Sequence, residues 1–282
     1  MMGAIIGDIA GSVYEWNNIK TKDFPLFRGD CRFTDDTVMT VAVAEAVMNG
    51  GSEDDFIDAM KKYGRMYPHA GYGNRFGTWL ASEDREPYHS WGNGSAMRVS
   101  PCGWAMNCGF CARTGLWPEN GRKQAERSAA VTHDHPEGIK GAMAVADAIF
   151  MGRMYRGQYT EDYGGLIIPT IDDLKNRIRE HTEQEYQYDL SRTLDEIRPG
   201  YVFDESCQGT VPQAITAFLE STDFEDAVRN AISLGGDSDT LAAVTGSIAE
   251  AAYGIPQRII DQAWTYLEEP LREVCRRWHS RF

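Results

Sequence analysis

Residues 33–51 read FTDDTVMTVAVAEAVMNGG: four oxygen-bearing side chains (Thr34, Asp35, Asp36, Thr37), then an Ala/Val-rich run that stops at two glycines. A Thr or Asp oxygen caps a helix by accepting from the free N–H groups of its first turn, and glycine past the last turn closes it. The stretch therefore predicts a helix from Val38 to Met48 closing at Gly50 and Gly51. One oxygen is enough for a cap, and adjacent carboxylates repel each other unless positive charge lies nearby. The surplus leaves two readings, a helix cap or a cation site.

The pattern returns at residues 235–254, GGDSDTLAAVTGSIAEAAYG, where Asp237, Asp239 and Thr240 head a second small-residue helix expected from Thr240 to Tyr253. A third clear helix is expected from Pro136 to Met151, closing at Gly152. Further helical periodicity covers 53–67, 123–131, 171–181, 211–220, 224–233 and 256–267. Only GGLIIPTI, Gly164 to Ile171, looks extended, and Pro169 weakens it as an interior strand. The fold class is all-α. With no linker, low-complexity tract or repeat, residues 1–282 read as one domain, and the polar stretch 164–209 as a protruding helical insert. The small residues of the three clear helices allow close backbone approach, so their polar ends can converge.

Composition narrows the function. The net charge of −14 argues against binding nucleic acid or an anionic membrane by bulk electrostatics. The apolar N-terminus MMGAIIGDIAGSVYEW lacks a basic flank and is interrupted by Asp8, which does not fit a signal peptide, and no run is long enough to span a bilayer. Six cysteines are sparse for this length and read as free thiols of a cytoplasmic protein. Cys108-x-x-Cys111 lacks the further ligands a zinc site needs. No heptad or edge-strand signature marks a partner surface, so a monomer is expected.

If the two acidic clusters meet, Asp35, Asp36, Asp237 and Asp239 with the hydroxyls of Thr34 and Thr240 form an all-oxygen nest. Such a nest suits Mg²⁺ or Mn²⁺ rather than Zn²⁺, which would call for His or Cys. Joined by Glu15, these carboxylates could neutralise about two divalent ions. His133 and His135 of THDHPEG, residues 132–138, are candidates for substrate contact or proton transfer, or for plain capping. WGNGSAMR, residues 91–98, offers a glycine-flanked loop whose N–H groups could face a phosphate, or an ordinary tight loop. The aromatics of HAGYGNRFGTW, residues 69–79, could stack on a base or lie in the core.

Taken in order, GAIIGDIAGSVYE, FTDDT, GNGSAMR, THDHPEG and GGDSDT resemble the ADP-ribosylglycohydrolase family from about Gly3 to Pro256 or beyond. The resemblance implies a compact all-α orthogonal bundle with two Mg²⁺ ions (or Mn²⁺) at the base of a cleft for ADP-ribose. It further implies Thr34, Asp35, Asp36, Asp237, Asp239 and Thr240 as metal residues. Gly94, Ser95, Met97 and His133 are implied at the ligand, and Glu15 on a segment near the metals. Water attack on the anomeric carbon would then release ADP-ribose, with Asp36 the first candidate to activate the water and Glu15 the second. The competing functions are a metal-dependent nucleotide phosphohydrolase and a non-catalytic ADP-ribose-binding protein on the same fold.

Overall fold

The computed structural model describes residues 1–106, 119–157 and 170–282. In chain order the described helices are α1 Met2–Gly11, α2 Asp35–Asn49, α3 Glu53–Met66, α4 Asn74–Ala81, α5 Gly94–Met97, α6 Ser100–Ala105, α7 Glu119–Ala130 and α8 Pro136–Arg156. They continue as α9 Ile171–Tyr186, α10 Leu194–Ile197, α11 Cys207–Leu219, α12 Phe224–Ile232, α13 Ser238–Tyr253, α14 Gln257–Trp264 and α15 Glu269–Arg281. The fold is all-α. Among the described residues the only β-type pairing is a single antiparallel bridge between Gly92 and Ser206. The Cys108 and Cys111 pair lies outside the described residues, as does the stretch expected to be extended, Gly164 to Ile171, except for Thr170, which caps α9, and Ile171, which begins it as helix and not strand.

Helix α13 is the axis of the packing, because it is buried on every side from Ser238 to Ala249. Around it pack α1, α8, α11 and α12, while α2 lies against α1, α3, α6 and α15. The α1–α13 crossing brings backbone against backbone, and the sequence explains it. Gly3, Gly7 and Gly11 recur every fourth residue and line one face of α1. A Cβ on Gly3 would fall 2.1 Å from the Gly246 carbonyl oxygen, and one on Gly7 would fall 2.0 Å from that of Ala242. The two backbones are in contact, as in other pairings of small residues spaced by four.

Backbone cannot step aside as a flexible side chain can. Gly7→Ala is therefore expected to push α1 off α13 at a cost of about 1–3 kcal/mol. Thermal denaturation should show this as a loss of roughly 2–4 °C per kcal/mol. An unchanged melting temperature would mean that the crossing is looser than described.

Of the three clear helices, two begin earlier than the sequence predicts and one runs past its expected stop. Helix α2 starts at Asp35, with the Thr34 hydroxyl accepting from the Asp36 N–H at 3.4 Å. Helix α13 starts at Ser238, behind Asp237. Helix α8 does not close at Gly152 but runs on to Arg156. The correction has a packing reason. A Cβ on Gly152 would lie 3.0 Å from the Ala251 Cβ, so this glycine admits α13 and does not end a helix.

Candidate metal centre

The tight α1–α13 crossing brings the polar ends of α1, α2 and α13 to one place. Asp8 projects from α1, fully buried, into the first turn of α2. Its Oδ2 accepts from the N–H groups of Thr34 (2.9 Å) and Thr37 (3.1 Å) and from the Thr37 hydroxyl. Its Oδ1 accepts from the Thr34 hydroxyl at 2.7 Å. Burial pushes the Asp8 carboxyl up to about 6, against the pull of these four hydrogen bonds. With three of these hydrogen bonds on Oδ2 and one on Oδ1, Asp8 serves as a strut that fixes the start of α2.

Asp36 is in the opposite state. Its Oδ2 accepts weakly from the Thr240 hydroxyl at 3.3 Å, which bridges the two acidic clusters directly. Its Oδ1 is buried with no hydrogen-bond partner. Asp237 accepts from Asn93 Nδ2 at 2.6 Å, and Asn93 also reaches the Thr210 hydroxyl of α11 at 3.0 Å. Asp239 accepts from the Thr240 N–H at 3.0 Å. Glu15 lies half-buried in the turn after α1. That turn is tied to the loop before α13 by Asn18, which accepts from the Gly236 N–H at 2.8 Å and donates to the Glu15 carbonyl at 2.8 Å.

Two groups of three carboxylates result, Asp8 with Asp36 and Asp239, and Glu15 with Asp237 and Asp239; within each, one oxygen per residue lies within 4.8 Å of the others. Asp239 belongs to both. Burial first, and then the neighbouring carboxylates, hold Asp36 and Asp239 well above the usual carboxylate range. Glu15 is raised to about 7 by burial and by Asp237. The leading influences on Asp36 and Asp239 include no side-chain cation. An orphaned buried oxygen among like charges, in an all-oxygen donor set, fits hard divalent cations.

Asp35 stands apart from both groups. Its N–H donates to the Ala70 carbonyl at 2.9 Å, and its carboxylate lies beside Gly71 on the cleft wall. Above the acids opens a cleft of about 550 Å³, within the usual range for small-molecule sites. Gly94, Met97 and His133 line it. The Ser95 side chain does not. Fully buried, it donates to the Gly138 carbonyl in the first turn of α8 at 2.7 Å. His135 is an N-cap, its Nδ1 accepting from the Glu137 N–H at 3.1 Å.

At the mouth, Trp16 and Phe203 stack with ring centroids 5.0 Å apart, and Trp91 is half exposed. Sequence reading placed Trp91 beside the loop but missed Trp16 and Phe203, as it missed Asp8, although a lone charge inside an apolar glycine-spaced helix was the available signal.

The family model for ADP-ribosylglycohydrolase matches residues 1–281. The chain belongs to the ADP-ribosylglycohydrolase family. Among the similar proteins is the ADP-ribosylhydrolase ARH3 of Mus musculus, 26% identical over 97% of this chain and 87% of its own. Another is the ADP-ribosylarginine hydrolase Tri1 of Pseudomonas putida, 24% identical over 94% of this chain and 73% of its own. A solved structure described as an ADP-ribosylglycohydrolase-related protein complex aligns with a TM-score of 0.63 at 23% identity, covering 97% of this chain and 93% of that one. This likeness shows that the all-α architecture is the family's own fold.

Proposed function

We propose that this ADP-ribosylglycohydrolase family member is a metal-dependent hydrolase, acting as a single domain, that cleaves the glycosidic bond of ADP-ribose conjugates and releases ADP-ribose. The observation that carries the reading is the unneutralised acid nest, with its orphaned Asp36 Oδ1, at the floor of a cleft of dinucleotide size. Family membership and the names of the similar hydrolases support the substrate class.

Asp36, Asp239 and the Thr240 hydroxyl would hold one divalent ion, and Glu15, Asp237 and Asp239 a second, with Thr34 and Asp35 flanking. Bound Mg²⁺ or Mn²⁺ supplies charge neutralisation and Lewis-acid polarisation of the sugar oxygens. The chain's own groups do the rest. The side-chain-free Gly92 and Gly94 let a ligand approach the backbone closely, and Ser95 holds that turn against α8 through Gly138. Trp16, Phe203 and Trp91 offer apolar faces that exclude water and receive a flat base. Of the two candidate bases, Glu15 has the better placement, half-buried and lining the cleft in the turn after α1, whereas Asp36 is buried at the first ion's site. It takes the proton of the attacking water as the bond from the anomeric carbon to the leaving group breaks through an oxocarbenium-like state, and the leaving group takes up a proton from cleft water, so that one water is consumed overall.

The test is release of ADP-ribose from arginine-linked, serine-linked and O-acetyl conjugates, with Mg²⁺ and with chelator. Metal-dependent release of intact ADP-ribose is expected on at least one linkage. Cleavage at the pyrophosphate would instead make the protein a phosphohydrolase, and tight ADP-ribose binding with no turnover on any conjugate would make it a binding protein.

A further inference from the structure

Arg98 is the largest fully buried side chain in the structure, 1% exposed, and it makes no ion pair among the described residues. Its Nη2 donates to the Ser128 carbonyl at 2.8 Å and to the Thr132 hydroxyl at 2.8 Å. Its Nε is buried without a partner. The Phe76 ring lies under the guanidinium, its centroid 5.5 Å from the guanidinium carbon, but a buried cation held by two hydrogen bonds and one ring face is still costly, and that cost calls for a reason. The reason lies one residue further on. The Thr132 hydroxyl, itself fully buried, has one other polar partner among the described residues, His133 Nδ1 at 2.8 Å.

Proton accounting then settles the imidazole. Arginine only donates, so the Thr132 oxygen accepts from Arg98, and its own proton needs an acceptor. The one within reach is His133 Nδ1. A ring nitrogen that accepts is bare, which places the remaining proton of a neutral imidazole on Nε2. That nitrogen faces the cleft across Gly92 and Gly94. A Cβ on Gly94 would lie 3.1 Å from it, and one on Gly92 3.6 Å.

We propose that Arg98 is a positioning residue that, through the Thr132 hydroxyl, fixes His133 as the Nε2–H tautomer and aims that N–H at an acceptor oxygen of bound ADP-ribose. The ligand half of this statement rests on the reading of the cleft given above, while the tautomer half does not. Burial, with Arg98 and Arg75 nearby, also holds the ring's proton affinity well below the ordinary imidazole value, which keeps it neutral. His133 is thus a fixed donor and not a proton shuttle.

Long-range ¹H–¹⁵N NMR of histidine-labelled protein reads the tautomer directly, with His133 assigned by the signals that vanish in His133→Gln. The expected spectrum has Nε2 protonated and Nδ1 bare throughout the range in which an ordinary imidazole titrates. Thr132→Val is expected to lose this single tautomer and to bind ADP-ribose about tenfold more weakly. Thr132→Ser is expected to keep both properties. Thr132→Ala replaces the valine variant should that fail to fold.

A proton on Nδ1 in the parent, or an unchanged tautomer without the hydroxyl, overturns the proposal. ADP-ribose binding measured by calorimetry that leaves the His133 signals unmoved overturns the donor role. Absence of any ADP-ribose binding refutes the ligand assignment, and with it the donor role toward that ligand, while the tautomer measured on the free protein stands.

Discussion

In chelating buffer, Asp239→Asn is expected to melt at a higher temperature than the parent, while losing at least about 10²-fold in divalent-cation affinity and in turnover. Asp239 is the carboxylate common to both acidic groups, so its loss weakens both at once. Asparagine keeps its volume and can still accept from the Thr240 N–H, now made at 3.0 Å. At a pH above the raised titration range of these acids, what disappears is one buried charge among Asp36, Asp237, Glu15 and Asp8, all of the same sign. Without a cation, relief of that repulsion stabilises the fold, by roughly 2–4 °C in melting temperature for each kcal/mol recovered. On the reading proposed above, activity and stability are opposed here, because carboxylates gathered to hold an ion repel one another without it. Paired melting curves with chelator and with Mg²⁺ decide the matter. A variant that melts lower in chelator, yet keeps the full gain on adding Mg²⁺, would show that Asp239 is a structural residue.

The second large effect is on the pH dependence of the metal-free protein. Asp8, at about 6 in the fold, sits above the ordinary aspartate value of about 3.9 that applies to the unfolded chain. Between those values the folded state keeps a proton that the unfolded state has released. The raised pKa therefore adds stability at low pH that is lost as pH rises through about 6. For this fully buried group the loss is on the order of 3 kcal/mol. Asp36 and Asp239 shift in the same direction, and Glu15, at about 7, extends the window toward neutrality.

Denaturation in chelator should thus show a protein that weakens from about pH 4, the unfolded aspartate value, to about pH 8, above the folded Glu15 value of about 7. Added Mg²⁺ should restore more at pH 8 than at pH 5, since protons compete with cations for the same oxygens. Flat metal-free stability over that interval would refute the burial of these acids as described.

Much of the fold and of the site could be read from the sequence, and the gaps have physical causes. Helices such as α3 and α12 announced themselves through apolar periodicity and Ser or Asp caps. Helix α1 did not, because three glycines in ten residues lower intrinsic helix preference; its stability comes from contact with α13, which no local window contains. Helix α15 was overlooked despite burying Leu271, Val274, Cys275 and Trp278 at helical spacing. Asp36, Asp237, Asp239 and Glu15 were legible because surplus acid at a helix start is a local signal. Asp8 was not, since its partner Thr34 lies 26 residues on and the meaning of the charge depends on where α2 begins. Ser95 read as a cleft residue from its motif, and only the neighbouring turn of α8 shows that its hydroxyl faces the protein interior.

The seam between α1 and α13 also sets a timetable. The acids it unites come from distant parts of the chain, Asp8 near one end and Asp239 after most of it, so a ribosome working at about 5–20 residues per second needs tens of seconds to supply both. Until then the glycine face of α1 has nothing to lie against, and its aspartate meets no companion acids from α13. Closing so long a loop comes late in folding. On the reading proposed above, the emerging chain therefore holds no assembled cation site until α13 has been made.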